Sequence, residues 1–294
     1  MKIAFVGASG YGNVGDDTYP LVFAQQLPEH ELVIYNSDLP AALPDDLALL
    51  VLGGGGILYN NPKDGPADAE SPHFRAMKFY MDAAIARGIP WGILSCGFQF
   101  QINREAEYAA ALKPWAPYLK QAAFITLRSP NCVRIAQEIS GRDDARFFPD
   151  AAYLYRPTVE ADQQAVTLVP AGLVNARNTL IKHYMRQFAA SGTPTRWLGM
   201  GAPVDDDKLL AEVTERFPQS QIIARPGPQA AFETIARSRF VLTGRYHGMI
   251  FARVSRAPFI TPVDSPYKIR MEDLNADIST AAGHFEVLRR FLQR

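Results

Sequence analysis

The stretch Val241-Leu-Thr-Gly-Arg-Tyr-His-Gly-Met-Ile-Phe-Ala252 holds a strand, a turn and the start of a helix. An apolar run ends at Gly244, Arg245 and His247 follow at once, and a second apolar stretch then begins with helix-like spacing. A strand-to-helix turn leaves the amide N–H groups of the first helical turn without intrahelical partners. Those donors and the positive end of the helix dipole favour an anion. Arg245 adds a permanent cation and His247 a group that exchanges a proton near neutral pH. Residues two apart diverge within a regular helix, so the two side chains converge only if the helix starts near His247.

The same strand-then-helix alternation extends outward in both directions. Strands are expected at Lys2–Val6, Glu31–Tyr35, Leu47–Leu52, Trp91–Ser95 and Phe124–Thr126, then at Ala165–Val169, Thr195–Leu198, Gln221–Ala224, Phe240–Thr243 and Phe259–Thr261. Amphipathic stretches lie between them: Tyr19–Leu27, His73–Arg87, Arg104–Leu119 and Asn131–Ile139, then Thr179–Ala190, Asp206–Arg216, Gln229–Ala236 and Met249–Val254. This pattern predicts an α/β protein whose parallel sheets are covered on both faces. The alternation breaks between Pro149 and Gln164, which places a boundary near Arg156-Pro157. The expected organisation is two Rossmann-like domains, residues 1–156 and 157–294, facing across a cleft at the carboxyl ends of their strands. The helical stretch Ile278–Gln293 is expected to pack back on the first domain.

The chain has 294 residues, 48% of them hydrophobic and 20% charged, which suits a globular protein of two ordinary domains. Lys plus Arg and Asp plus Glu both number 30, so the balance argues against a general nucleic-acid binder. Cys96 and Cys132 lack metal-site spacing and read as reduced thiols of a cytoplasmic protein. No metal is expected. The longest apolar run, Leu47–Tyr59, is interrupted by glycines and falls short of a membrane span, and Met1-Lys2 leads straight into an expected strand with no signal-peptide-like apolar region, so no signal sequence is expected.

Two glycine-rich stretches stand out. Gly10-Tyr-Gly-Asn-Val-Gly15 matches the dinucleotide fingerprint as a string, but it starts several residues after the first strand ends. Asp16 and Asp17 follow it, where they would repel a pyrophosphate. The reading is instead a turn in which Asp17 caps the first helix, while Tyr11, Asn13 and Asp16 face the cleft and one carboxylate serves as a general base. Gly53-Gly-Gly-Gly56 follows a buried strand, and its missing side chains allow close approach of a ligand or of the other domain, at Gly54 and Gly55 above all. Arg128 follows a strand and can hold an anion or form a surface ion pair. Arg177, in the first turn of the second half, is either a cleft residue or a solvated one. Of the five histidines, only His247 shares a turn with an Arg and a Gly; His30, His73, His183 and His284 read as surface or partly buried side chains.

Together these stretches resemble the polysaccharide pyruvyl transferase family. The likeness rests on the Arg245-x-His247 element, the Gly10–Asp17 turn ending in Gly-Asp-Asp, the glycine run at Gly53, and Pro258-Phe-Ile-Thr-Pro-Val-Asp-Ser-Pro-Tyr-Lys268. Arg128-Ser129 resembles the family's strand-Arg element, and Asp150 its Asp before the interdomain linker, here read as a hinge residue. Ser95-Cys-Gly-Phe-Gln-Phe-Gln101 keeps Gly97 and Gln99 of a family turn but lacks its proline. The resemblance implies a GT-B-like architecture and a transferase that needs no cofactor. It would move the pyruvyl group of phosphoenolpyruvate onto two hydroxyls of a sugar, during biosynthesis of a bacterial-type cell-surface polysaccharide or exopolysaccharide. Arg245, with Arg128, Arg177 and Lys268, would hold the donor's carboxylate and phosphate, and His247 would protonate its C3 carbon. Asp16 would act as base; Gly54, Gly55, Asn13 and Tyr11 would line the acceptor side. Lipid-linked oligosaccharide, nucleotide sugar and finished polysaccharide are all compatible acceptors. The expected location is cytoplasmic, with room for contact at the inner membrane face through the acceptor. The alternative is a GT-B glycosyltransferase that uses a nucleotide sugar.

Overall fold

The computed structural model describes residues 1–37, 41–61, 66, 68–99, 108–159, 165–170, 183–184, 187–188, 190–201, 210–211, 213–215, 217–262 and 271–293. Within them the strands are β1 (Lys2–Gly7), β2 (Glu31–Asn36), β3 (Leu47–Leu58), β4 (Trp91–Phe98), β5 (Ile125–Leu127), β6 (Arg146–Phe147), β7 (Ala165–Val169), β8 (Thr195–Gly199), β9 (Gln221–Ala224), β10 (Ser238–Thr243) and β11 (Phe259–Ile260). The described α-helices are α1 (Tyr19–Gln26), α2 (Pro72–Ala86), α3 (Tyr108–Leu112), α4 (Ala116–Gln121), α5 (Pro130–Ser140), α6 (Pro228–Ala236), α7 (Tyr246–Ser255), α8 (Met271–Asn275) and α9 (Gly283–Leu292). They belong to two compact units: Met1–Ser9, Tyr19–Leu154 and Arg270–Arg294 in the first, and Gly10–Thr18 with Tyr155–Ile269 in the second. Gly10–Thr18 therefore groups by its contacts with the second unit, although a single division near Arg156 puts it in the first half.

The first unit carries a sheet of order β2-β1-β3-β4-β5-β6, all of its pairs parallel. Its central strands are buried on both faces; all eight residues of β4 are buried, as expected for a parallel sheet under two helical layers. The second unit carries β11-β10-β7-β8-β9, again parallel throughout. Read from β9, the strands of that unit run third, second, first, fourth, fifth. The order reverses between β7 and β10, and a reversal of this kind opens a crevice outside the strands' carboxyl ends.

Several elements differ from the sequence reading. The strand expected to stop at Leu52 continues as β3 to Leu58, with Gly53 opposite Leu94 and Gly55 opposite Cys96. Gly54 and Gly55 take φ of 77° and 90° inside this ladder, a backbone that glycine alone adopts without strain. A Cβ at Gly54 would stand 2.3 Å from Cγ of Tyr19, so the space read as room for a ligand is filled by the Tyr19 ring of the same unit. The single helix expected over Arg104–Leu119 is broken. Its described part is α3, a 3-10 turn at Lys113–Trp115, and α4, with Pro114 and Pro117 each opening a new segment. The helices expected at Thr179–Ala190 and Asp206–Arg216 lie largely outside the described residues. β6 was not expected, being only two residues long. At the C-terminus a 3-10 turn, Ile278–Ala282, precedes α9. That helix packs within the first unit: Phe285 meets Phe23 edge-on at 6.0 Å and Phe291 lies 5.5 Å from Phe124.

Candidate active site

At the switch point of the second sheet, Gly244 N–H donates to the Val169 carbonyl at 2.8 Å and extends the β10–β7 ladder one residue past the strand. Arg245 then takes an extended backbone (φ −99°, ψ 137°) and stands as the N-cap of α7. The Arg245 N–H donates to Thr243 Oγ1 at 3.1 Å, and that hydroxyl donates to the Arg245 carbonyl at 3.0 Å. The Arg245 side chain is held as well: its Nε–H donates to the Pro170 carbonyl at 2.9 Å, just beyond β7. The helix begins at Tyr246, three residues earlier than the apolar pattern indicates, so His247 lies in its first turn and is only 8% exposed. The condition for convergence of Arg245 and His247 is thus met, with both residues at the carboxyl ends of β7 and β10.

The glycine-rich turn is part of the same unit. Val14 is buried, and its N–H donates to the Met200 carbonyl at 3.0 Å, just past β8. The turn is tied internally too: Gly10 N–H donates to Asp17 Oδ1 at 2.6 Å, Asp17 N–H to the Asn13 carbonyl at 2.9 Å, and Thr18 Oγ1 to the Val14 carbonyl at 3.0 Å. Asp17 therefore closes the turn on Gly10 instead of capping α1, whose start is preceded by the 3-10 turn Asp16–Thr18. Tyr11, Asn13 and Asp16 are half-buried on this turn. Gly15 lies against His247, a Cβ there falling 2.0 Å from the imidazole Nδ1. Sequence distance hid this; more than two hundred residues separate Gly15 from His247.

The first unit holds a separate buried polar cluster. Asp150 is completely buried and accepts from Tyr19 OH at 2.8 Å, from the Arg128 guanidinium at 3.1 Å and from the Ala152 N–H at 2.9 Å. Arg128, read as an anion holder or a surface ion pair, is instead an inward partner of this carboxylate, with its side chain 13% exposed. Gly97 makes room for it, since a Cβ there would lie 2.5 Å from Arg128 Nε. Next to the pair, Ser95 is buried in a left-handed conformation (φ 56°), and its Oγ accepts from the Ala151 N–H at 2.8 Å. Asp150 and Ser95 thus fix the same turn, Asp150–Ala152, from two sides.

His284, read as a surface or partly buried side chain, is fully buried on α9. Its Nε2 lies 3.0 Å from the Pro149 carbonyl and its Nδ1 2.8 Å from Thr126 Oγ1. A carbonyl only accepts, so Nε2 carries a hydrogen, and full burial favours the neutral form of the ring. Burial pushes its pKa down to about 4, the nearby Asp150 charge offsetting part of the effect. The unfolded chain takes up this proton near pH 6.5 and the folded chain only near 4. The stability contribution is thus complete above pH 6.5 and falls as pH drops towards 4, by about 3 kcal/mol in total. Urea unfolding at pH 7.5 and 4.5 should show this loss in the wild type, and His284→Gln should lack that share of it. An identical loss in both proteins would remove His284 as its source.

Two residues read as donor-holding, Arg177 and Lys268, lie outside the described residues. Among the described residues no helix is long and apolar enough to cross a membrane. A family model for polysaccharide pyruvyl transferases matches residues 22–265. The chain belongs to the polysaccharide pyruvyl transferase family. That match spans both units and includes Arg245 and His247, though not the turn at Gly10–Asp17. No curated protein matches the chain. Among solved structures, it is similar to the UDP-GlcNAc 2-epimerase of Methanocaldococcus jannaschii in complex with UDP-GlcNAc and UDP, at 10% identity and TM-score 0.53, over 98% of this chain and 92% of that one. The S. aureus MnaA–UDP co-structure aligns at 11% identity and TM-score 0.58, over 90% and 79% of the two chains. The UDP-GlcNAc 2-epimerase of Neisseria meningitidis bound to UDP-GlcNAc aligns at 10% identity and TM-score 0.52, over 100% and 92%. At such identities the likeness is one of fold, and it places this pyruvyl transferase family member among GT-B-like proteins of two parallel α/β units.

Proposed function

We propose that this protein is a ketal pyruvyl transferase whose donor is phosphoenolpyruvate and whose acceptor is a sugar of a cell-surface polysaccharide or its precursor. The observation that carries the reading is Arg245 as N-cap of α7 with His247 in the first turn, at the switch point of the second sheet. A donor with a carboxylate and a phosphate suits a guanidinium beside a helix N-terminus. Transfer needs a proton at C3, which makes C2 electrophilic, and His247 is the acid assigned to it. A sugar hydroxyl then adds to C2 while its proton passes to a base. Phosphate leaves, and a second hydroxyl adds with loss of its own proton to close the cyclic ketal. Asp16, next to Gly15 on the turn that touches the His247 ring, is the base assigned here. Arg177 and Lys268 are assigned to the donor's charges; Tyr11 and Asn13 are assigned to the acceptor's hydroxyls. Gly54 and Arg128 are given no part, because Tyr19 and Asp150 already occupy them.

The structural neighbours were solved with UDP-GlcNAc or UDP, so a nucleotide-linked sugar is a fitting acceptor class and a nucleotide-sugar donor is the rival reading. Calorimetry separates them. Phosphoenolpyruvate should bind the wild type, and Arg245→Ala should weaken it by roughly 10- to 100-fold, the worth of one or two hydrogen bonds to a charged group. Binding of UDP-GlcNAc with none of phosphoenolpyruvate would overturn the donor assignment in favour of a glycosyltransferase.

A further inference from the structure

The glycine-rich turn is where the structure goes furthest beyond the motif. The turn is anchored to the second sheet through Val14 and Met200, and braced by the Gly10–Asp17 and Thr18–Val14 hydrogen bonds. Gly15 is the position on it that meets the His247 ring. A side chain there would begin 2.0 Å from His247 Nδ1, 2.2 Å from its Cγ and 2.5 Å from its Cβ. Non-bonded heavy atoms do not approach so closely, so the imidazole edge fills the volume in which any Cβ would stand. His247 is thereby backed by main chain, a surface with no rotamer of its own. Its φ is not in the left-handed region, so close approach alone accounts for glycine here.

We infer that Gly15 is a positioning residue for His247: the backbone of the N-terminal turn is the wall that fixes the orientation of the imidazole at the start of α7. The inference deepens the assignment of His247 as proton donor and takes its catalytic consequence from that reading. The contact itself does not depend on it.

The test is Gly15→Ala with Gly227→Ala as control, since a Cβ at Gly227 meets open space in the same unit. With histidine-labelled protein, the His247 ring signals and their titration midpoint should move in Gly15→Ala and stay in place in Gly227→Ala. In turnover, misplacement of the proton donor should lower kcat roughly 10- to 100-fold with phosphoenolpyruvate affinity within about threefold, an effect of the size that small displacements of reacting groups produce. A His247 signal unmoved by Gly15→Ala overturns the inference. Because Gly15→Ala is a clash by design, a stability cycle with His247→Gly guards against a folding artefact. The loss in Tm caused by Gly15→Ala should shrink several-fold once the ring and its Cβ are gone, and an equal loss in both backgrounds, or failure of both to fold, overturns it too. The ring signals and the cycle use no phosphoenolpyruvate. If that donor fails to bind while Gly15→Ala still moves His247, the donor assignment falls and the positioning role stands.

Discussion

Asp150→Ala should destabilise the first unit by about 3–5 kcal/mol, the usual result of removing one partner of a buried ion pair. Asp150 is fully buried and its oxygens serve three donors: Tyr19 OH, the Arg128 guanidinium and the Ala152 N–H. Truncation strips those donors of this acceptor and leaves a mostly buried guanidinium without this counter-charge. The loss comes chiefly from stranding these groups, because a buried pair gains little net energy over a hydrophobic replacement. A paired substitution distinguishes the two contributions. Arg128→Met with Asp150→Leu should recover the share of the loss owed to the stranded guanidinium, while Tyr19 OH and the Ala152 N–H still lack this acceptor; Arg128→Met alone should not be silent, since it leaves the carboxylate buried without this counter-charge. Chemical denaturation of the four proteins would show it. A cost below about 1 kcal/mol for Asp150→Ala would mean that solvent reaches the pair and the cluster is not structural.

The cluster also shows what sequence reasoning can and cannot reach. The parallel α/β architecture was legible because strand and helix periodicities are local, and most of the strands fall where their apolar runs end. What it missed depends on contacts across the chain. The glycine run from Gly53 reads in sequence as an opening for a ligand, yet it continues β3, because pairing with β4 keeps it in the ladder and the Tyr19 ring fills the space beside Gly54. Arg128 carries no mark that its partner is Asp150, and His284 resembles any polar residue of an amphipathic C-terminal helix until Thr126 and Pro149 are found on its two nitrogens. The turn that carries Arg245 and His247, by contrast, was readable because strand end, glycine and helix start are contiguous. Its setting was not: the switch point needs the strand order, and Gly15 needs the fold.

His247→Gln should lower kcat by roughly 10²–10⁴, the range supplied by a positioned general acid, while the Kd for phosphoenolpyruvate changes far less. The distinction follows from the local chemistry. Arg245 is always charged, and its Nε is fastened to the Pro170 carbonyl, so it acts on the donor's charge in the ground state as in the transition state. Its loss belongs in binding. His247 is asked for something only the transition state requires, a proton delivered to C3, so its loss belongs in turnover. A bound anionic donor also favours the imidazolium over the neutral ring, which couples arrival of the substrate to readiness of the acid. The assay is phosphate release from phosphoenolpyruvate in the presence of a sugar acceptor, run in D₂O so that the new methyl group records the solvent-derived proton. His247→Gln should show slow release and near-normal donor affinity; Arg245→Ala should show the reverse emphasis. A His247→Gln protein that keeps kcat within about tenfold of wild type would take the acid's role away from this residue, because gains that small are within reach of electrostatics or water alone.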